Sequence, residues 1–265
     1  MLRDITLGQY YQTESVIHRM DPRVKLAGTL LYIISLFFFK NFLGYGVAAL
    51  FLAVVIKLSH VPFKFMVRGM KAIVFLLLIT VIFNLFLTPG TPILTVWKIT
   101  VTIEGLQTAV TMAVRLIMLI IGSSIMTLTT TPNNLTDGME KGMRPLKIFH
   151  VPVHEVAMMM SIALRFIPIL LEETDKIMKA QIARGADFES GNLIRRAKAL
   201  VPLLVPLFIS AFRRANDLAM AMEARCYRGG EGRTKMKPLI YQRRDRIAYL
   251  CILLYMTVSI SVGNV

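Results

Sequence analysis

Residues 156–185 read VAMMMSIALRFIPILLEETDKIMKAQIARG, and residues 200–230 read LVPLLVPLFISAFRRANDLAMAMEARCYRGG. One pattern is written twice. Each stretch starts apolar, turns amphipathic and closes on Ala-Arg followed by a helix stop. From Val156 to Leu171 only Ser161 and Arg165 interrupt the apolar run. A helix that is hydrophobic on all faces is buried in protein or in lipid. Pro168 should kink it. Glu172, Glu173, Asp175, Lys176 and Lys179 then bring it into water, with Glu172–Lys176 and Asp175–Lys179 at the favourable i,i+4 spacing. Gly185 supplies the residue just past the end. In the second stretch Leu200 to Ile209 is apolar around Pro202 and Pro206. Leu207, Ala211, Ala215, Leu218 and Met222 then step along one packing face.

The endings are Ala183-Arg184-Gly185 and Ala224-Arg225-Cys226, with the two arginines 41 positions apart. A single basic residue in a last helical turn is explained by the helix dipole, worth ~0.3–1 kcal/mol. Two helices that repeat the whole transition and both end Ala-Arg point further. A small alanine lets a helix tip enter a groove, and a planar guanidinium suits a carboxylate at its floor. The expectation is a pair of plugs, Arg184 and Arg225, each offered to a cytoplasmic partner.

Around this block the chain reads as a membrane protein. It has 265 residues, is 55% hydrophobic and has a mean hydropathy of +0.60, with its apolar residues clustered in runs. Leu26–Phe39 and Phe42–Ile56 are the first two runs. At ~1.5 Å per residue each falls short of the ~30 Å hydrocarbon core, so two thinned spans and a re-entrant hairpin both remain open. Lys57, Lys64, Arg68 and Lys71 mark a basic linker. Ala72–Leu87, Gly105–Thr127 and Ile247–Val262 are three further spans. Between them Ile93–Ile103 alternates like a small extended lid around Trp97. Thr131-Pro132 starts a short helix. The resulting plan is a membrane domain with four spans (1–128), a coupling block with two long helices (129–246) and a last span (247–265). The fold class is all-α and membrane-integral, with about five transmembrane helices plus long cytoplasmic helices.

Charge sets the topology. The formal net charge is +15, from 31 Lys and Arg against 16 Asp and Glu. Four of these cations lie in residues 1–25, four in 57–71 and twenty in 129–246, leaving Lys40, Lys98 and Arg115. Five spans with the N-terminus in the cytoplasm put every basic cluster on one side, and the C-terminus outside. The charge excess then serves topology and lipid; no basic groove interleaved with aromatics points to nucleic acid. Arg115, within a span, should pair with Glu104 or a helix carbonyl. Pro22, with Asp21 as its cap, should open the first helix.

Several chemistries find no support. There is no phosphate-binding loop and no His-Glu-x-x-His motif. His150 and His154 have metal-pair spacing, but Pro152 between them should start the helix and leave His150 outside it, so no metal or other cofactor is expected. The Asn134-Leu135-Thr136 sequon falls on the expected cytoplasmic side. Cys226 and Cys251 should be free thiols. The first twenty residues are mixed in charge, so no cleaved signal peptide is expected. A membrane enzyme would need a polar constellation at depth, where only Asn84 and Arg115 stand. A lone channel or secondary carrier would need ionisable pairs that the spans lack.

The chain resembles the transmembrane T components of energy-coupling factor (ECF) vitamin transporters. The carriers of the resemblance are Gly8-Gln9-Tyr10-Tyr11, Asp21-Pro22-Arg23, Leu164-Arg165-Phe166-Ile167-Pro168 and the two Ala-Arg endings. It implies a non-catalytic subunit of the bacterial plasma membrane. Two crossed coupling helices would dock on two ATPase subunits, a heterodimer by expectation, through Ala183, Arg184, Gly185, Ala224 and Arg225. Glycine is usual where Cys226 stands, which puts that helix end in question. A substrate-binding S component, or several interchangeable ones, would rest on the apolar side of these helices, near Met158, Met159, Met160, Leu203 and Leu207.

Overall fold

The computed structural model describes residues 10–39, 41–70, 73–96, 99–188, 192–230, 236 and 238–263. Gly8, Gln9, Lys40, Lys71, Ala72, Trp97 and Lys98, singled out above, lie outside them. Helices dominate: α1 (Pro22–Phe38), α2 (Phe42–Ser59), α3 (Phe63–Met70), α4 (Val74–Leu87), α5 (Ile103–Thr129), α6 (Pro132–Gly142), α7 (Val153–Ala183), α8 (Leu193–Ala224) and α9 (Arg243–Gly263), with a 3-10 turn at Arg144–Phe149. The expected extended lid is a two-stranded antiparallel ribbon, β1 (Pro92–Val96) and β2 (Ile99–Thr102). The chain divides into two compact units. One holds α1–α6 and α9; the other holds α7 and α8.

The first unit is a bundle turned inside out. Its core is small and lies where α1, α2, α5 and α9 meet, around Tyr32, Leu36, Leu52, Ile125 and Tyr255. Phe38, Leu43, Leu50, Phe75, Phe83 and Leu253 are exposed. Helix α4 is apolar except for Thr80 and Asn84 and has no buried residue. Water would not tolerate such a surface, and lipid requires it. This is an integral membrane protein.

Among the described residues, five helices are long and apolar enough to cross a bilayer: α2, α5, α7, most of α8, and α9. They differ from the five runs read from the sequence. Helices α1 and α4 have 17 and 14 residues, roughly 21–26 Å at the α-helical rise. Helices α7 and α8 qualify because each contains an 18-residue stretch that is largely apolar and carries at most two charges.

One end of the bundle is tied by polar contacts. Pro22 begins α1, and the Asp21 carboxylate caps it by accepting from Arg23 N, as read from the sequence. The same carboxylate takes two bonds from the Arg23 guanidinium, at 2.9 and 2.7 Å. Burial pushes this carboxyl up, but the Arg23 hydrogen bonds and charge outweigh it and hold it below its usual range. Asp245, almost wholly buried, joins two helix starts. Its carboxylate accepts from Asp21 N at 2.9 Å and from Gln242 N at 2.8 Å, the second bond satisfying the backbone amide that precedes α9. Lys25 Nζ donates to Thr129 O at the end of α5. Tyr11 N donates to Leu128 O, and the Tyr11 ring lies 4.9 Å from that of Phe65. The starts of α1 and α9, the end of α5 and α3 therefore share one end, and Arg19, Arg23, Lys25, Lys64, Arg243 and Arg244 sit in those segments.

Arg115 is anchored by a hydroxyl and by a carbonyl at a helix end, and not by Glu104. Its Nη2 and Nε donate to Tyr45 Oη at 2.7 and 3.0 Å, and Nη2 reaches Phe39 O, the carbonyl just past α1, at 3.5 Å. Glu104 instead accepts from Thr91 N and Oγ1. Glu104 and Arg115 lie eleven residues apart on α5, about 16 Å along the axis, beyond the reach of a pair.

Candidate docking ends of the paired long helices

Helices α7 and α8 have 31 and 32 residues. Pro152 precedes the first turn of α7, and His150 lies outside it with a left-handed φ of 58°. The described residues contain no metal-binding cluster. Pro168 sits inside α7 without ending it. In α8, Pro206 cannot bond the carbonyl four residues back. Gln181 Nε2 donates to that carbonyl, Pro202 O, at 3.4 Å.

The pair is antiparallel. Gln181 meets Pro202, and Glu173 pairs with Arg214 at 3.0 Å. The start of α7 meets the segment after α8: a Cβ on Gly230 would strike the His154 ring. Between the helices runs a groove of about 260 Å³, lined by Ile162, Phe166 and Leu170 on α7 and by Ala211, Ala215, Leu218 and Met222 on α8. Four of the five residues assigned to the α8 packing face therefore face α7. Glu172 and Lys176 form no ion pair; the adjacent Glu173 points at α8 and takes Arg214.

Both helix ends have the same backbone. At the first, Gly185 N donates to Ile182 O at 2.9 Å and Ala186 N to Gln181 O at 2.9 Å. At the second, Cys226 N donates to Glu223 O at 2.8 Å and Tyr227 N to Met222 O at 3.0 Å. Each is a Schellman motif with the arginine as the last helical cap. Gly185 takes φ +87° and Cys226 φ +55°. The question raised by Cys226 is answered: it adopts the left-handed conformation that glycine would take, at a cost of roughly 1 kcal/mol. Ala183, Arg184, Ala224 and Arg225 are exposed, and neither arginine is in an ion pair among the described residues.

Antiparallel packing sends the tips apart. Arg184 caps the far end of a helix of 31 residues, about 45 Å long, and Arg225 sits back near its start. One groove cannot hold both. Of the other residues singled out, Met159 and Met160 are exposed, Met158 and Leu207 are half-buried, and Leu203 is buried. A further exposed stripe, missed in the sequence, is formed by Val201, Val205, Phe208 and Phe212. Their i, i+4, i+7, i+11 spacing is a helix face and was the signal that could have found it.

Taken together, these features define a helical integral membrane protein that carries a long antiparallel helix pair with two exposed, arginine-capped ends. Residues 13–236 match the CbiQ family, described as cobalt transport protein. Curated relatives share the length. The energy-coupling factor transporter transmembrane protein EcfT of Clostridium kluyveri is 57% identical over 262 residues, covering 98% of this chain and 97% of that one. Its namesake in Thermosediminibacter oceani is 53% identical, covering 100% and 98%. That of Bacillus subtilis is 47% identical, covering 92% and 93%. The chain belongs to the EcfT family, the transmembrane components of energy-coupling factor transporters.

Proposed function

We propose that this chain converts closure of an ATPase dimer into reorientation of a substrate-binding S component, for uptake of a vitamin or other micronutrient across the bacterial plasma membrane. The observation that supports it is the pair of identically built, arginine-capped helix ends about one helix length apart. Two separate tips suit two ATPase subunits, each with a carboxylate-floored groove. ATP-driven closure moves the subunits together and carries the tips with them. The apolar halves of α7 and α8 pass that shift to the S component. Its contacts must differ between the two states, or no reorientation follows.

The antiparallel geometry also bears on topology. If α7 and α8 crossed the bilayer, Arg184 and Arg225 would lie on opposite sides of its ~30 Å core. Both tips reach the cytoplasm only if neither helix crosses the bilayer. The bundle then supplies five crossings, α1, α2, α4, α5 and α9, with the basic end inside, the N-terminus cytoplasmic and the C-terminus outside. The pair then offers Met159, Met160, Val205, Phe208 and Phe212 to an S component. Leu203 supports that face from beneath. The chain is non-catalytic; substrate recognition resides in the S component and ATP hydrolysis in the ATPases.

The test is Arg184→Ala and Arg225→Ala, singly and together, read by ATPase co-purification and by uptake. Removing one member of a buried charge pair costs ~2–5 kcal/mol of docking, so each variant weakens co-purification and abolishes uptake. Normal assembly and transport in the double variant would reject the proposal. Substrate flux in liposomes containing this chain alone would favour a self-sufficient carrier.

A further inference from the structure

The bundle contains a second apolar cavity, of about 260 Å³, between α1, α2, α5 and α9. Val24, Val55, Ile125 and Ile247 line its sides, and Tyr32 stands at its inner end. Lys25 and Arg244 line the opposite end, at the polar-tied face of the bundle. Lys25 and Tyr32 are seven residues apart on α1, which makes the cleft roughly 10 Å deep.

Its two cations have no carboxylate of their own. Lys25 Nζ donates to two carbonyls, His18 O at 3.1 Å and Thr129 O at 2.8 Å. Arg244 Nε is buried without a hydrogen-bond partner. The nearby acids are committed elsewhere: Asp21 to Arg23, and Asp245 to the backbone amides of Asp21 and Gln242. Among the described residues neither Lys25 nor Arg244 belongs to an ion pair. A buried guanidinium nitrogen left unpaired is costly unless an acceptor arrives. The apolar cleft is narrow enough for one hydrocarbon chain and runs inward from that acceptor position.

We infer that this cleft binds a single anionic glycerophospholipid, with one acyl chain between α1, α2, α5 and α9 and its phosphate between Lys25 and Arg244. Charge complementarity selects the headgroup, and basic pockets between membrane helices are suited to it. The bound lipid would brace the end of the bundle where four helix termini meet.

Native mass spectrometry of the full chain in detergent tests this, with equal phosphatidylglycerol and phosphatidylcholine supplied. The expected result is one retained lipid per chain with a strong preference for phosphatidylglycerol. Arg244→Gln should reduce that preference about fivefold, the effect of one membrane-facing cation. Ala248→Phe, which narrows the cleft and leaves both cations, should lower retention of both lipids; melting curves check that each variant is folded. Equal retention of the two lipids by the unaltered chain overturns the inference. So does retention of neither, as expected if a partner subunit fills the cleft instead. Retention unchanged in both folded variants overturns it too, since the lipid would then sit elsewhere.

Discussion

Ala183-Arg184-Gly185 and Ala224-Arg225-Cys226 close their helices with the same two backbone hydrogen bonds, yet one left-handed position holds glycine and the other cysteine. The difference teaches that the arginine's placement is set by the hydrogen-bond pattern and not by the side chain that follows it. Glycine reaches that pattern freely. Cysteine reaches it under strain, which the tertiary setting offsets: Tyr227 and Gly230 return the chain to the start of α7, where Gly230 packs against His154. At the first end a Cβ on Gly185 would meet nothing within 4 Å.

The largest expected effect is at the tips. Arg184→Ala and Arg225→Ala should weaken ATPase binding by similar amounts, ~2–5 kcal/mol each, in a quantitative pull-down. A large loss at one tip and none at the other would break the equivalence. Next is Gly230→Val, which forces the returning strand off the His154 ring and should cost ~1–3 kcal/mol. Hydrogen exchange should speed up in residues 220–227 and stay unchanged in residues 178–186. Equal protection at both ends would show that the return does not hold the second one.

Smaller still is the exchange of the two left-handed residues. Gly185→Ala should destabilise the first end by about 1 kcal/mol, and Cys226→Gly should stabilise the second by a similar amount. Local exchange rates measure both, and opposite signs are required. The smallest effect lies in the other unit and serves as contrast. Asp21 has its carboxyl held below the usual range. Its contribution is therefore present above the ordinary value of about 3.9 and is lost as pH falls through the folded value. Melting in detergent should drop with acid over that window, and less steeply in Asp21→Asn. An identical acid slope in the two proteins would remove Asp21 from the account.

Local features were legible in the sequence because their causes lie within a few residues. Asp21-Pro22 marked the start of α1, Thr131-Pro132 that of α6, and Gly185 the end of α7. The distant partners were not. Asp245 caps α9 and receives Asp21 N from 224 positions away, and no local pattern encodes that bond. Arg115 found the Tyr45 hydroxyl because α2 packs on α5; the sequence suggested Glu104 or a helix carbonyl, and could not show a hydroxyl from another helix. The i,i+4 rule proposed Glu172 with Lys176, but contact with α8 selects Glu173. The antiparallel sense of α7 and α8 did have a signal. The 184–192 connection is short, and short connections join antiparallel neighbours. Cys226 had none, since a left-handed non-glycine residue is fixed by its surroundings.

The claim that each tip engages its own ATPase subunit is tested most directly by photo-crosslinking in the assembled transporter, with the probe at position 182 or 223, beside each arginine. The account predicts that both positions crosslink to an ATPase subunit and that neither is labelled from outside the cell. A tip that captures no ATPase, or that an impermeant reagent reaches from the outer side, would contradict it.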